Sequence, residues 1–396
     1  MKVFQINTVY GSGSTGRIVA GLKQLLEKRG DTCVAAYGRG DTQDKDTYKI
    51  GSLWDMYVHG ILTRITDRTG FYSKKKTKKL IEKIEESKPD IIHLHNLHGY
   101  YLHVPTLFDY LKKSDTPVIW TLHDCWPFTG HCAHYTKAGC GKWKSECSHC
   151  PEKKVYPASK VLDNSLRNYG DKKAAFTGVK NLTIVTPSAW LAGEVKQSFL
   201  KDYQVQVLPN GIDTTLFCPT QGDVREKYHL GEHKLLLAVA NQWTARKGYE
   251  DYLALAVHLP EEYQLVMVGL TEAQIKALPE NIVGIGKTEN AQELAQLYTE
   301  STALLNLTYE DNFPTVNLEA LACGTPVITY RTGGSPEALD GNIGIVVEVG
   351  DLDAVQNAIF QAQLLQRDKC VQVGKEYDTK VRLGKYLDLY DTILSK

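Results

Sequence analysis

Short apolar, β-branched runs alternate with amphipathic helical stretches along the whole chain, and this alternation most limits how it can fold. The runs fall at residues 2–7, 32–37, 91–95, 118–122, 182–186 and 204–208 in the first half. In the second half they fall at 234–240, 264–269, 282–285, 303–306, 327–329 and 344–347. They are nearly continuous in apolar residues, as strands buried on both faces of a parallel sheet should be. Between them, residues 18–28, 105–113, 249–257 and 291–300 carry apolar positions at helical spacing. Strand–helix alternation through both halves predicts an α/β chain of two doubly wound, Rossmann-like domains. A length of 396 residues suits two domains better than one. The turn-rich stretch from Pro209 to Asp213 marks the boundary, so the domains are expected at 1–208 and 209–378. The last helical stretch, 379–396, has no strand after it and could cap either domain, including by packing back on the first.

Lysine plus arginine (46) equals aspartate plus glutamate (46), so no global field argues for nucleic acid and none is expected as a partner. No stretch approaches the ~18–20 apolar residues of a membrane span. The opening Met1-Lys-Val-Phe-Gln-Ile-Asn7 reads as a strand rather than a leader. A cytoplasmic protein is the expectation, with its nine cysteines kept reduced. Lys74, Lys75, Lys76, Lys78, Lys79 and Lys83 accompany Leu80, Ile81 and Ile84 at helical spacing. Such a helix can lie peripherally on an anionic membrane surface. It can equally be a solvated helix packed by its three apolar residues, and Glu82, Glu85 and Glu86 dilute its charge.

The most informative segment is Tyr-Glu-Asp-Asn-Phe-Pro-Thr-Val-Asn-Leu-Glu-Ala-Leu-Ala-Cys-Gly-Thr-Pro-Val at 309–327. Asp311 lies in a loop and Glu319 on the helix that follows, with seven residues between them. A loop-to-helix start presents backbone N–H groups and the positive helix end to an anion. A carboxylate further along can accept hydrogen bonds from sugar or ribose hydroxyls. Upstream, Ala-Asn-Gln-Trp-Thr-Ala-Arg-Lys-Gly at 240–248 follows a strand and precedes a helix. Arg246 and Lys247 there are cations placed to meet phosphate, arginine in bidentate fashion.

Together these segments resemble the donor site of glycosyltransferase family four, retaining enzymes of the GT-B fold, which includes transferases of capsule and colanic-acid type. That fold has two Rossmann-like domains facing a central cleft. The resemblance implies that Glu319 holds the donor ribose, that Asp311 approaches the donor hexose, and that Lys247 and Arg246 meet the diphosphate. Asn312, Phe313, Pro314 and Thr315 would complete the donor loop. The sequence departs from the family pattern at two points. Asp311 stands where glutamate is commoner, with Glu310 beside it as the other candidate for the first acid. Gln242 stands where an arginine is usual.

Near the start, Tyr10-Gly-Ser-Gly-Ser-Thr-Gly-Arg17 follows the first strand and opens a helix. Gly13 and Gly16 let the backbone approach a ligand. Gly11, Gly13 and Gly16 also match a dinucleotide-binding loop, with Asp31 as its acid, so a nicotinamide-dependent oxidoreductase is the reading this loop alone would give. In the family resembled, the loop lies across from the donor phosphates. His123 and Asp124 end a strand at its carboxyl edge, where open α/β sheets bind ligands. The family has a histidine here close to the donor sugar, which assigns His123 as hydrogen-bond partner or proton handler. His95, Asn96 and His98, with Asp124, are candidates for the acceptor side. Asp351-Leu-Asp353 could be a divalent-metal motif but precedes a helical stretch, so Asp351 is read as a helix cap.

Residues from about 124 to 160 break the alternation and are rich in Cys, His, Trp, Pro and Lys. Cys132, Cys140, Cys147 and Cys150 fall close together, with one Cys-x-x-Cys pair. A structural zinc on these four thiols would hold a loop that lacks a core of its own. Packed free thiols and disulfides are the other readings. The resemblance implies no cofactor for catalysis. The function expected is transfer of a hexose from a nucleotide-diphosphate sugar, UDP-linked by family habit, to a glycan or lipid-linked acceptor in polysaccharide biosynthesis, with anomeric configuration retained. A nucleotide-sugar epimerase of the same fold, or a non-catalytic nucleotide-binding protein, is the alternative.

Overall fold

In the computed structural model, which describes residues 1–395, contacts divide the chain into two compact units. The first comprises Met1–Leu208 together with the chain end from Leu383, and the second Pro209–Arg382.

The strands of the first unit are β1 (Lys2–Val9), β2 (Thr32–Arg39), β3 (Thr47–Lys49), β4 (Ile91–Leu94), β5 (Val118–Thr121), β6 (Leu182–Thr186) and β7 (Gln204–Val207). They form one sheet in the order β3-β2-β1-β4-β5-β6-β7, every neighbouring pair parallel. The helices are α1 (Gly13–Arg29), α2 (Leu53–Thr66), α3 (Lys74–Ser87), α4 (Val104–Leu111), α5 (Ser165–Phe176) and α6 (Ala189–Gln197). Both faces of the sheet are covered. Phe4, Ile6, Ile92, Leu94 and Trp120 pack into one cluster with Phe108 and Phe176. Val3, Ile91, Ile119 and Val185 point the other way, alternating as strand geometry requires.

The second unit has β8 (Lys234–Val239), β9 (Tyr263–Val268), β10 (Ile282–Ile285), β11 (Ser301–Asn306), β12 (Val327–Tyr330) and β13 (Gly344–Val347). Their order is β10-β9-β8-β11-β12-β13, again all parallel. Its helices are α7 (Val224–Lys227), α8 (Tyr249–Val257), α9 (Glu272–Lys276), α10 (Ala291–Glu300), α11 (Thr315–Ala322), α12 (Leu352–Ala362) and α13 (Arg367–Glu376). Leu235 and Leu237 enter the core on one face, Leu236 and Ala238 that on the other. The expected α/β architecture of two doubly wound parallel sheets is what the structure shows.

The final helix, α14 (Thr379–Leu394), packs on the first unit. Leu383, Tyr386, Leu389 and Tyr390 recur at spacings of three and four and join Val3, Leu22 and Leu26 in one cluster. Arg29 bridges to Asp391 at 2.7 Å.

One local expectation needs correction, and one open reading is settled. Residues 124–160 do not lack a core: Trp126, Phe128, Tyr135 and Trp143 sink into the main cluster of the first unit. Lys172 on α5 anchors the segment, its Nζ donating to the carbonyls of Trp126 (2.7 Å) and Thr129 (3.0 Å). The apolar side of the lysine-rich helix α3 also faces inward. Leu80 and Ile84 are fully buried, so they pack the core.

Candidate active site

Each sheet reverses its strand order once, between β1 and β4 in the first unit and between β8 and β11 in the second. Loops leaving the carboxyl ends of such strand pairs diverge and open a crevice, where open α/β sheets bind ligands. The candidate residues lie at these two places.

In the second unit, β8 runs into a 3₁₀ turn at Ala245–Lys247 and then α8, while β11 runs into the loop before α11. The two loops are laced together. Arg246 Nη1 donates to the carbonyl of Glu310 at 2.9 Å, and the Tyr309 N–H donates to the carbonyl of Arg246 at 2.9 Å. Lys247 Nζ lies 2.6 Å from Asp311 Oδ2, with both side chains about one-fifth exposed. Two glycines make this closeness possible. Gly248 has φ +72°, and a Cβ there would stand 2.1 Å from the carbonyl oxygen of Leu307. Gly333 has φ +52°, and its Cβ would stand 1.8 Å from the carbonyl oxygen of Asp311. Any side chain at either position would force the loops apart.

Pro314 occupies the N-cap of α11 and supplies no capping side chain, and the start of the helix faces the loop. Glu319 is held one turn further on, where Tyr298 Oη donates to its Oε2 at 3.0 Å. Asn317 ties the helix to both neighbouring loops, accepting from Asn306 Nδ2 (2.8 Å) and donating to the carbonyl of Ser335 (3.1 Å). Phe313 packs on Tyr377, their rings 5.9 Å apart. Asp251 receives the hydroxyls of Tyr309 and Tyr330 (2.9 and 2.6 Å), bracing the loop from beneath. Thus Arg246, Lys247, Asp311, Phe313, Pro314, Thr315 and Glu319 belong to one assembly.

In the first unit, α1 opens at Gly13 directly after β1, and its loop is closed by the Gly11 N–H donating to the carbonyl of Gly16 at 2.9 Å. Next to it, the ends of β4 and β5 carry the histidines. His123 Nε2 is 3.3 Å from His95 Nδ1, with the two rings stacked. His95 is buried and its Nε2 reaches Gln5 Oε1 at 3.3 Å, so it lies behind His123. His93 faces α14, within 2.7 Å of Tyr390 Oη and 2.8 Å of Thr121 Oγ1. Burial holds the His123 imidazole down at about 4, although Asp124 pulls it upward. Burial holds His93 at about 3 and His95 well below its usual value. These rings are therefore neutral near pH 7 and act as hydrogen-bonding groups.

Asp124 is fixed by His98 Nε2 at 2.7 Å and by the Trp126 N–H at 2.9 Å. Burial alone would raise its carboxyl, but the charge and hydrogen bond of His98 hold it down at about 2. His98 also meets Tyr156 Oη at 2.9 Å, linking the strand ends to the Cys-rich segment. The backbone of Asn96 is tied to β1, its N–H donating to Asn7 Oδ1 at 3.2 Å and its carbonyl accepting from Thr8 and Tyr101.

Cys132, Cys140, Cys147 and Cys150 line one small cavity with His131 and Trp143. The Gly130 N–H donates to Cys147 Sγ at 3.2 Å. Among the described residues no group of three or more His, Cys, Asp or Glu side chains is arranged to hold a metal ion. Asp351 caps α12, accepting from the Ala354 N–H at 2.9 Å, as its position suggested. Asp31 fails as a dinucleotide acid. It precedes β2, at the sheet edge opposite the glycine loop, and is taken up by the N-terminal ammonium and Arg29.

Sequence reasoning missed the supporting groups: Tyr298, Asp251 and Asn317 in the second unit, Gln5 and Tyr390 in the first. The Gly333-Gly334 pair just after β12 was a legible signal, since two glycines at a strand's carboxyl end mark a close approach. The others come from elements distant in sequence and carry no local pattern.

Comparison with known proteins bears on the fold and the family. The chain is 24% identical to the putative colanic acid biosynthesis glycosyl transferase WcaC of Escherichia coli K12, over 99% of this chain and 100% of that one. Its fold superposes on sucrose-phosphate synthase from Thermosynechococcus elongatus with a TM-score of 0.75 at 18% identity, covering 100% of this chain and 99% of that one. It superposes on Anabaena HepE in complex with UDP and glucose with a TM-score of 0.66 at 13% identity, covering 99% and 100%. Among the described residues no helix is long and apolar enough to cross a membrane. The model for glycosyl transferases group 1 matches residues 221–377, and that for glycosyltransferase family 4 matches residues 15–216. The chain belongs to glycosyltransferase family 4 and has the GT-B type of α/β fold.

Proposed function

We propose that this glycosyltransferase moves a hexose from a nucleotide-diphosphate sugar, UDP-linked in the first instance, to a glycan or lipid-linked acceptor in polysaccharide biosynthesis, with retention of configuration. The observation that carries this reading is the assembly of two cations, two carboxylates and a helix start at the β8/β11 switch point. The full-length likeness to a colanic acid transferase supports the polysaccharide context, and the UDP and glucose in a structural neighbour support the donor class.

In this reading the diphosphate sits on the α11 amides, with Lys247 and Arg246 neutralising the charge that grows on it as the glycosidic bond breaks. Lys247 is paired to Asp311, and a bound donor takes over these partners. Lys247 turns to phosphate, and Asp311 turns to the hexose hydroxyls. Glu319, already oriented by Tyr298, accepts from the ribose with its remaining lone pairs. The first unit takes the acceptor, with neutral His123 as a hydrogen-bond partner at the reacting sugar and His98 and Asp124 beside it. No cofactor takes part in the transfer.

The test is incubation with labelled UDP- and GDP-hexoses and glycan or lipid-linked acceptors, followed by NMR of the product's anomeric proton. Label in acceptor with the donor's configuration is the expected result. Conversion of donor without acceptor would instead make the chain an epimerase, and binding without turnover a non-catalytic nucleotide-binding protein.

For the four thiols we infer a structural zinc, seated when Cys132, Cys140, Cys147 and Cys150 turn into the cavity they share. Elemental analysis of protein purified without chelators should then find close to one zinc per chain. Essentially zinc-free, fully folded protein would show instead that the thiols only pack.

A further inference from the structure

Helix α2 is inside out. Leu53, Trp54, Tyr57, Val58, Ile61 and Ile65 fall within roughly 140° of one another at about 100° per residue, a single apolar stripe. A helix on a globular domain normally turns such a stripe inward. Here the buried residues are His59, Gly60 and Thr63, and the stripe faces solvent. Trp54 is 76% exposed and the other five lie between 45% and 59%.

The inverted orientation is locked from the polar side. His59 Nδ1 is 2.9 Å from Ser73 Oγ, and the Gly70 N–H donates to its Nε2 at 3.2 Å. Ser52 and Asp55 form a capping box at the helix start. At the other end the chain extends the patch. The Lys160 N–H donates to the carbonyl of Arg64 (2.7 Å) and the Leu162 N–H to that of Ile65 (3.0 Å), placing exposed Val161 and Leu162 alongside. An apolar surface of this size on a built, capped helix marks an interaction site.

Charge identifies the occupant. The only acid on α2, Asp55, is neutralised by Lys76 of α3 at 3.0 Å, which ties the starts of the two helices together. Exposed Lys74, Lys75, Lys78 and Lys79 of α3 therefore stand next to the apolar helix, and Arg64 and Lys160 are exposed at its far end. An exposed apolar stripe with a tryptophan and a tyrosine, bordered by the four lysines in the first half of α3, with Glu82, Glu85 and Glu86 confined to its second half, fits the boundary of an anionic bilayer: acyl chains for the stripe, headgroup phosphates for the cations.

We propose that α2 is a membrane-docking helix that inserts its Leu53–Ile65 stripe into an anionic lipid surface while the α3 lysines bind the headgroups. The lysine-rich helix supplies attraction and its neighbour supplies insertion. The proposal concerns a surface of the first unit and does not rest on the identity of the donor or acceptor.

The experiment is flotation of the full chain with vesicles of phosphatidylglycerol mixed with phosphatidylcholine, and of phosphatidylcholine alone, without donor. Wild type should float with the anionic vesicles at low salt and much less with the neutral ones. Trp54→Ser with Ile61→Ser should weaken anionic binding at least about tenfold, the scale of two lost apolar insertions. Lys78→Glu with Lys79→Glu should weaken it at low salt and leave little further salt dependence. All these side chains are exposed, so melting temperatures should stay near wild type, and transfer to a soluble acceptor should persist. Absence of wild-type binding to anionic vesicles would overturn the proposal. So would unchanged binding by the apolar double variant, or a solution dimer that Trp54→Ser dissolves, which would make the stripe a contact between copies.

Discussion

In the second unit the groups at the switch point come from two short stretches, 245–248 and 308–319, and their chemistry is that of full charges: Arg246, Lys247, Asp311 and Glu319. In the first unit the corresponding place is built from β1, the ends of β4 and β5 and the last helix of the chain, and its rings at His93, His95 and His123 are neutral. The same topology thus carries a charged loop assembly in one unit and a cluster of neutral rings beside the His98–Asp124 pair in the other. In the proposed reading the difference follows from what each would hold. A diphosphate needs cations and amides close to solvent, whereas an uncharged sugar hydroxyl needs donors and acceptors that stay neutral and fixed.

The comparison is broken most severely by removing charge from the second unit. Lys247→Ala and Glu319→Ala should each cost about 10²–10³ in transfer rate, the scale of one preorganised electrostatic group at a developing charge. Both proteins should remain folded by circular dichroism. Near-normal rates in both would dissolve the proposed donor site. Asp311→Asn should separate binding from chemistry. It releases Lys247 toward phosphate, so UDP affinity should hold or improve while transfer falls.

Acid should break the first unit before the second. His59, His93 and His95 are buried and His123 is partly so, with burial lowering each below its usual value, to about 3 for His59 and His93 and about 4 for His123. An unfolded chain protonates them near pH 6.5, so between about 6.5 and 4 the unfolded state binds more protons and stability falls with pH. For His123 alone the full effect is on the order of 3 kcal/mol. His131 opposes this. Burial lowers it but its bond to Asp67 wins and raises it, so its contribution is present in acid and lost as pH rises through its folded value. The histidines of the second unit, His229, His233 and His258, are all exposed. Hydrogen exchange at pH 4.5 should therefore show β4 and β5 losing protection before β8 and β11. Equal loss would mean that the rings do not set the acid limit.

Smaller effects sharpen the contrast. His123→Gln keeps a neutral hydrogen-bonding group but loses the ring's geometry, and should cost about tenfold in kcat with little change in UDP affinity. Tyr298→Phe removes one hydrogen bond that orients Glu319 and should weaken UDP binding only a few-fold. A larger loss from Tyr298→Phe would show that the hydroxyl supports the helix rather than the carboxylate.

The fold was largely legible because buried parallel strands leave continuous apolar runs, and each of the twelve expected strands is present. What escaped was β3, three half-exposed edge residues with no core to read, and α2, whose stripe points outward against the usual rule. The second unit's candidate site was legible because its groups lie on two short stretches, 245–248 and 308–319. The first unit's was legible only at His123, Asp124 and the strand ends. The roles of Gln5, Tyr386 and Tyr390 arise when α14 returns from the far end of the chain to pack beside β4 and β5, and no local pattern records that return. For Leu80 and Ile84 a lipid face and a packed face were both open, because an amphipathic pattern does not say which surroundings its apolar side will meet; they pack the core.

The central claim is that the assembly around Lys247 and Glu319 binds the diphosphate of a nucleotide sugar. Thermal unfolding of wild type and Lys247→Ala with UDP, GDP and NAD tests it most directly, since a ligand at about 100 times its Kd adds roughly 2.7 kcal/mol to stability. UDP or GDP should raise the wild-type midpoint, Lys247→Ala should lose most of that rise, and NAD should leave both unmoved. A shift with NAD alone, or a UDP shift untouched by Lys247→Ala, would contradict the account.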